Sequence, residues 1–133
     1  MKYWLTPPEL YKALDSEFHF DFDPCPYPLL DDFDGLAVEW GKSNYVNPPF
    51  KGPTKWVRKA IAEFKKGKKI VFMFPIDKWI HYFLEAGAEI RNLKDIKWCS
   101  IEDGKPGKGT GRYIACFILD PKKEVSCKSN SRS

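Results

Sequence analysis

The chain has 133 residues, 43% hydrophobic and 16% aromatic, which suits one domain with a single core and excludes wholesale disorder. Its formal charge of +4 is unevenly spread: residues 1–50 hold three lysines against nine Asp or Glu, a net of −6, and residues 51–133 carry the remaining +10. There is no run of about 18 apolar residues, and the opening "MKYWLTPPEL" has no signal-peptide core, so a soluble, intracellular protein is expected.

Taken in order, "TPPELYKALDSEF" reads as a helix start. Thr6 is placed to cap, Pro7 suits the first helical position, and Glu9 completes a capping box. Leu10, Ala13 and Leu14 make its apolar stripe, with Phe18 just beyond. "FHFDFDP" then alternates Phe18, Phe20 and Phe22 with His19, Asp21 and Asp23, the pattern of a strand, until Pro24, Pro26 and Pro28 halt it. Residues 29–42 are acidic and irregular. Tyr45 and Val46 read as strand again.

That strand runs into "NPPF". A proline has no N–H for a sheet ladder, so the strand ends at Asn47, which Pro48 holds extended. Pro49 stiffens the turn that presents Phe50. The result is a rigid corner carrying an amide and a ring. Trp56, Val57, Ala60, Ile61 and Phe64 follow at helical spacing, closed by Gly67. "KKIVFMFPI" is a continuous apolar run, as in a central strand covered on both faces. "KWIHYFLEAGA" reads as a helix ending at Gly87, and "AEIRNL", "DIKWCSI" and "RYIACFIL" as short strands. The last two flank the Gly-rich "EDGKPGKGTG" and are expected to pair antiparallel. The polar tail, residues 121–133, is expected to be frayed, leaving one domain over 1–120. The four cysteines, at 25, 99, 116 and 127, form no CxxC pair, so free thiols are expected rather than a zinc site. Helix and strand thus alternate over residues 7–92, which argues for an α/β sheet, mainly parallel, with a terminal antiparallel pair.

Trp4–Thr6–Pro7, Phe20–Asp23, Trp40 with Asn47–Phe50, Trp56, Ile70–Pro75 and the strands of 95–119 occur here in one order. Together they resemble the phage-type DNA N6-adenine methyltransferases, whose amino-methylating motif is [DNS]-P-P-[YFW] after a core strand. The resemblance spans residues 3–119. It implies a reduced Rossmann-like class I methyltransferase sheet, S-adenosylmethionine as cofactor, DNA as partner, and a cytoplasmic setting in a phage-infected or prophage-bearing cell. Asn47, Pro48, Pro49 and Phe50 are then the catalytic corner, and no metal is needed. An amine conjugated to a base is a poor nucleophile. The Asn47 side-chain oxygen and the Pro48 carbonyl are suitable acceptors for its N–H bonds, and Phe50 is placed to stack on a base taken out of the duplex.

By the same resemblance, Thr6 and Pro7 hold the cofactor's carboxylate and Asp23, Pro24 and Cys25 wrap the rest. Asp23 faces the ammonium group, and Asp31, Asp32, Asp34 and Glu39 are candidates for the ribose contact. Asp34 is the one retained in that set. Two departures stand out. Asp23–Pro28 contains no glycine where the family has a glycine-rich loop, and the 22 residues from Cys25 to Asn47 are too few for two further strands, since one βαβ unit takes roughly 30. A homodimer that completes the site is compatible with both. Lys51, Lys55, Arg58, Lys59, Lys105, Lys108 and Arg112 are the expected nucleic-acid contacts. The alternatives left open are a nucleic-acid-binding pseudo-methyltransferase and methylation of RNA or of a protein amide.

Overall fold

The computed structural model of the chain describes residues 4–26, 33–49, 52–94, 99–100 and 113–121. Helix α1 (Pro8–Phe18) buries Leu14 and Phe18. Strand β2 (Ser43–Val46) stops at the residue before Asn47, as the two prolines dictate. Helix α2 (Pro53–Lys65) buries Val57, Ala60 and Phe64, the stripe read from the sequence. Strand β3 (Lys69–Pro75) is buried from Ile70 onward. Helix α3 (Ile80–Glu85) is short, and Gly87, at φ 86°, closes it in a conformation that favours glycine. Strands β4 (Glu89–Lys94) and β6 (Ile114–Leu119) complete the main sheet, while β1 (Trp4–Leu5) pairs antiparallel with β5 (Cys99–Ser100) apart from it.

The main sheet has the order β2-β3-β6-β4. Strands β2 and β3 are parallel, and Phe22 adds a parallel bridge to Asn44 on the open side of β2. Strand β6 lies antiparallel to both β3 and β4. The sheet is therefore mixed, which corrects the expectation of a mainly parallel one. The partner of 114–119 is also not the 95–100 segment. All six residues of β6 are buried, so β6 needs a strand on each side, and β3 and β4 supply them.

Two clusters form the core, one on each face of the sheet. Against α1 lie Tyr45, Val71, Met73, Ile114, Cys116 and Ile118; against α2 and α3 lie Val46, Ile70, Phe72, Phe74, Phe83, Phe117 and Leu119. The strand expected over Phe18–Asp23 reduces to the Phe22 bridge. Phe18 ends α1, and His19 takes the left-handed region at φ 52°. Phe20 then packs with the α1 cluster and Phe22 with the α2 cluster, so the two rings do not share a face.

Thr6 is not the helix cap. Pro7 occupies that position without a side-chain cap bond, because α1 begins one residue later at Pro8, and the Thr6 hydroxyl is bonded to the Tyr45 hydroxyl instead. No helix among the described residues is long and apolar enough to cross a membrane.

Candidate functional site

Side-chain and backbone bonds fix the 18–23 segment along β2 and the residue before it. The Asp21 carboxylate accepts the Ser43 N–H at 3.0 Å and the Lys42 N–H at 3.3 Å, while the Ser43 hydroxyl donates to the Phe18 carbonyl at 2.7 Å. The Tyr45 N–H donates to the Phe22 carbonyl at 3.0 Å. Since Phe22 and Asn44 pair in parallel, the chain leaves the sheet at Asp23 and at Asn47 from the same end. That is the carboxyl edge, where open α/β sheets place their ligands.

The groups at this edge are unevenly satisfied. Asn47 is half-buried, and its amide has no hydrogen-bond partner among the described residues. Pro48 is buried and Pro49 exposed. Asn44, three residues upstream, is wholly committed: it accepts from the Gly41 N–H at 2.8 Å and donates to the Gly41 and Lys69 carbonyls. Asn44 within β2 is thus a structural amide, and Asn47 just past its end is unbonded among the described residues.

Asp23 is the second unsatisfied group. Burial pushes its carboxyl up to about 6, and the Cys25 N–H, bonded at 2.8 Å, offsets only part of that. No cationic side chain among the described residues bonds it. Its charge reaches several neighbours. The Cys25 thiol and the Tyr45 phenol are raised first by burial and then further by Asp23, and Tyr11 is raised by burial, Asp15 and Asp23 in turn. A half-buried carboxyl with no counter-charge among the described residues suits a cationic group on a ligand.

The glycine absent from the Asp23–Pro28 stretch has a counterpart across from it. A Cβ on Gly35 would sit 1.9 Å from the Pro24 carbonyl oxygen, so only glycine lets these backbones meet. The Trp40 indole N–H holds the Gly35 carbonyl at 2.8 Å. Close approach is therefore supplied by a residue seven positions past Pro28. Asp34, exposed, bonds the Leu36 N–H in the adjacent turn, and Glu39 pairs with Lys66 and Lys68. Asp31 and Asp32 lie outside the described residues.

Among the basic residues, Lys55 and Arg58 are exposed on α2. Lys59 is engaged: its ammonium lies 3.4 Å from Glu63 Oε2 and 6.0 Å from the centre of the Trp40 ring. Phe50, Lys51, Lys105, Lys108 and Arg112 lie outside the described residues, as does the tail from 122 onward.

Reading the sequence alone missed Tyr45, Tyr11, Gly35 and Glu63. A tyrosine next to Val46 at the end of a short strand is the one local signal, since a phenol that becomes buried demands a partner. The others depend on contacts between distant segments.

A family model described as DNA N-6-adenine-methyltransferase (Dam) matches residues 1–131. A DNA N-6-adenine-methyltransferase of Escherichia phage T1 is 27% identical over 151 aligned positions, covering 91% of this chain. The chain spans 63% of that relative's length. No solved structure matches.

Proposed function

The chain belongs to the DNA N-6-adenine-methyltransferase (Dam) family, and from that premise we propose that it methylates the N6 amino group of adenine in DNA with S-adenosylmethionine as donor. The observation that carries this reading is the convergence of Asp23 and Asn47 at one carboxyl edge, both polar and both without a side-chain partner among the described residues. The sheet supports it as a reduced class I methyltransferase sheet: a parallel half built from the Phe22 bridge, β2 and β3, and an antiparallel half built from β6 and β4.

When bound, S-adenosylmethionine supplies a methyl group on an electron-poor sulfur. Asp23 holds the ammonium, and the Thr6 hydroxyl, at the mouth of α1, donates to the carboxylate. Asn47 Oδ1 and the Pro48 carbonyl accept the two N–H bonds of the adenine amine and draw its lone pair out of conjugation. Phe50 stacks on the base, which has to leave the duplex to reach the corner. Lys55 and Arg58 meet the phosphates beside it.

The test is transfer of labelled methyl from S-adenosylmethionine to unmethylated duplex DNA, with N6-methyladenine identified in the digest. The wild-type chain labels adenine, and Asn47→Ala lowers turnover by about 10²–10³-fold with an unchanged melting temperature. Activity of Asn47→Ala within a few-fold of wild type removes Asn47 from the chemistry. DNA binding by a wild-type chain that transfers no methyl would favour the pseudo-methyltransferase reading instead.

A further inference from the structure

Tyr45 is the one hydroxyl-bearing residue in the cluster that α1 covers, among Leu14, Phe18, Val71, Met73, Ile114, Cys116 and Ile118. Phenylalanine would fill the same space. Its ring is already fixed without the hydroxyl: Tyr11 meets it edge-on at 5.0 Å, and Phe20 lies 5.3 Å away. Among the described residues the hydroxyl bonds Thr6 alone, 39 residues earlier in the chain. Tyr45 also stands two residues before Asn47 on the strand that carries the catalytic corner. This single bond therefore ties the Thr6–Pro7 opening to that strand.

The chemistry of the pair gives the bond a direction. A phenol, with an ordinary pKa of about 10, is a better donor and poorer acceptor than an aliphatic alcohol. The favoured arrangement has the Tyr45 O–H donating to Thr6 Oγ1. The Thr6 proton is then left free to point away from Tyr45, as donation to a carboxylate requires. The neighbourhood is the one Asp23 charges, so both ends of a zwitterionic amino acid find their partners within it.

We propose that Tyr45 is a positioning residue for the cofactor: its hydroxyl orients Thr6 so that the threonine donates outward to the carboxylate of S-adenosylmethionine. This rests on the functional reading above. Tyr45 itself touches neither cofactor nor base. Removing its hydroxyl frees the Thr6 rotor and lets Thr6 turn its proton elsewhere, which weakens cofactor binding without altering the methyl-transfer step.

The experiment is calorimetric titration of S-adenosylmethionine into wild type, Tyr45→Phe, Thr6→Ser, Thr6→Val and the Tyr45→Phe/Thr6→Val double variant, with melting temperatures and steady-state kinetics alongside. Tyr45→Phe should raise the cofactor Kd and KM about tenfold, a typical loss for one oriented hydrogen bond. Its kcat at saturating cofactor should stay within about twofold of wild type, and its KM for DNA should not move. Thr6→Ser, which keeps a hydroxyl, should lose less cofactor affinity than Thr6→Val. The double variant should bind no worse than Thr6→Val, because both changes remove one interaction. A purely structural bond would instead lower the melting temperature of Tyr45→Phe and leave its Kd alone, and that result overturns the proposal. So do additive effects in the double variant, a comparison that holds even if one single variant is unstable. Absence of binding by the wild type overturns the functional reading itself, whereas wild-type binding with Tyr45→Phe unchanged overturns only the role of Tyr45.

Discussion

A buried carboxyl on α2 and a half-buried one at the carboxyl edge of the sheet are shifted in opposite directions. Glu63, on α2, is almost wholly enclosed, which alone would raise its pKa. Lys68 at 2.6 Å, Lys66 at 2.9 Å, the Trp40 N–H at 2.8 Å and Lys59 outweigh that and hold it at about 2. Asp23 has one backbone N–H and stands at about 6. The difference is one of supply. Among the described residues, three lysines surround Glu63 and no cationic side chain bonds Asp23. A carboxyl that a fold buries and leaves unpaired is kept for something that arrives from outside. Glu63 joins α2, Trp40 and the approach to β3, and it is structure. Asp23 leaves the sheet at the same edge as Asn47, and in the proposed function it is held for the cofactor's ammonium.

The comparison is broken most forcefully at Glu63. Glu63→Ala strands three lysines and the Trp40 N–H around a vacated buried position, and removal of one member of such a network costs about 3–5 kcal/mol. Urea denaturation should show a loss of that order. The wild-type contribution of Glu63 carries a definite pH signature. Its folded pKa lies below its unfolded value of 4.5, so the stabilisation is present above pH 4.5 and is lost as pH falls toward about 2. Denaturation midpoints for wild type should decline over that window, and those for Glu63→Ala should decline less.

The opposite sign is expected at Asp23, with a smaller size. Its folded pKa lies above the unfolded value of 3.8, so it favours the fold below pH 3.8 and that advantage disappears as pH rises through about 6. At pH 8 the ionised carboxylate is a burden of about 2–3 kcal/mol at most, from a shift of roughly two units. Asp23→Asn should therefore melt higher than wild type at pH 8 and show little difference at pH 4, while losing its affinity for S-adenosylmethionine. A variant that gains stability and loses binding is the signature of a strained functional group. Asp23→Asn melting below wild type at pH 8 would mean that the carboxylate already has a partner in the fold.

What was legible in the sequence was what is local. Pro48 and Pro49 stop β2 by lacking an N–H, and the spacing of Val57, Ala60 and Phe64 writes α2 directly. The unbroken apolar run of β3 told of burial on both faces. Asn47 was singled out by the two prolines that follow it and Asp23 by the family resemblance, and the structure brings both to one edge of the sheet. What stayed hidden depends on distant partners. The alternation of Phe18, Phe20 and Phe22 resembled a strand, yet His19 turns the chain and sends Phe20 and Phe22 to different faces. The neighbours of β6 were misjudged because strand pairing is settled by which edges need cover, not by the nearest strand in sequence. Thr6 carries a convincing capping pattern, but its hydroxyl answers to Tyr45. Glu63 carried no expectation from the sequence; its burial is visible only once Lys66 and Lys68 fold over it.

The most direct test of the claim that Asp23 awaits a cation is the pH dependence of cofactor affinity. Calorimetric titration of S-adenosylmethionine into the wild-type chain between pH 5 and pH 8 should show binding that strengthens as pH rises through about 6 and then levels off, because protons compete with the ammonium for the carboxylate below that point. Below pH 6 the Kd should worsen by up to about tenfold per unit, and Asp23→Asn should show weak, pH-independent binding over the same range. A wild-type Kd that is flat from pH 5 to pH 8, or an Asp23→Asn variant that binds as tightly as wild type, would contradict the account.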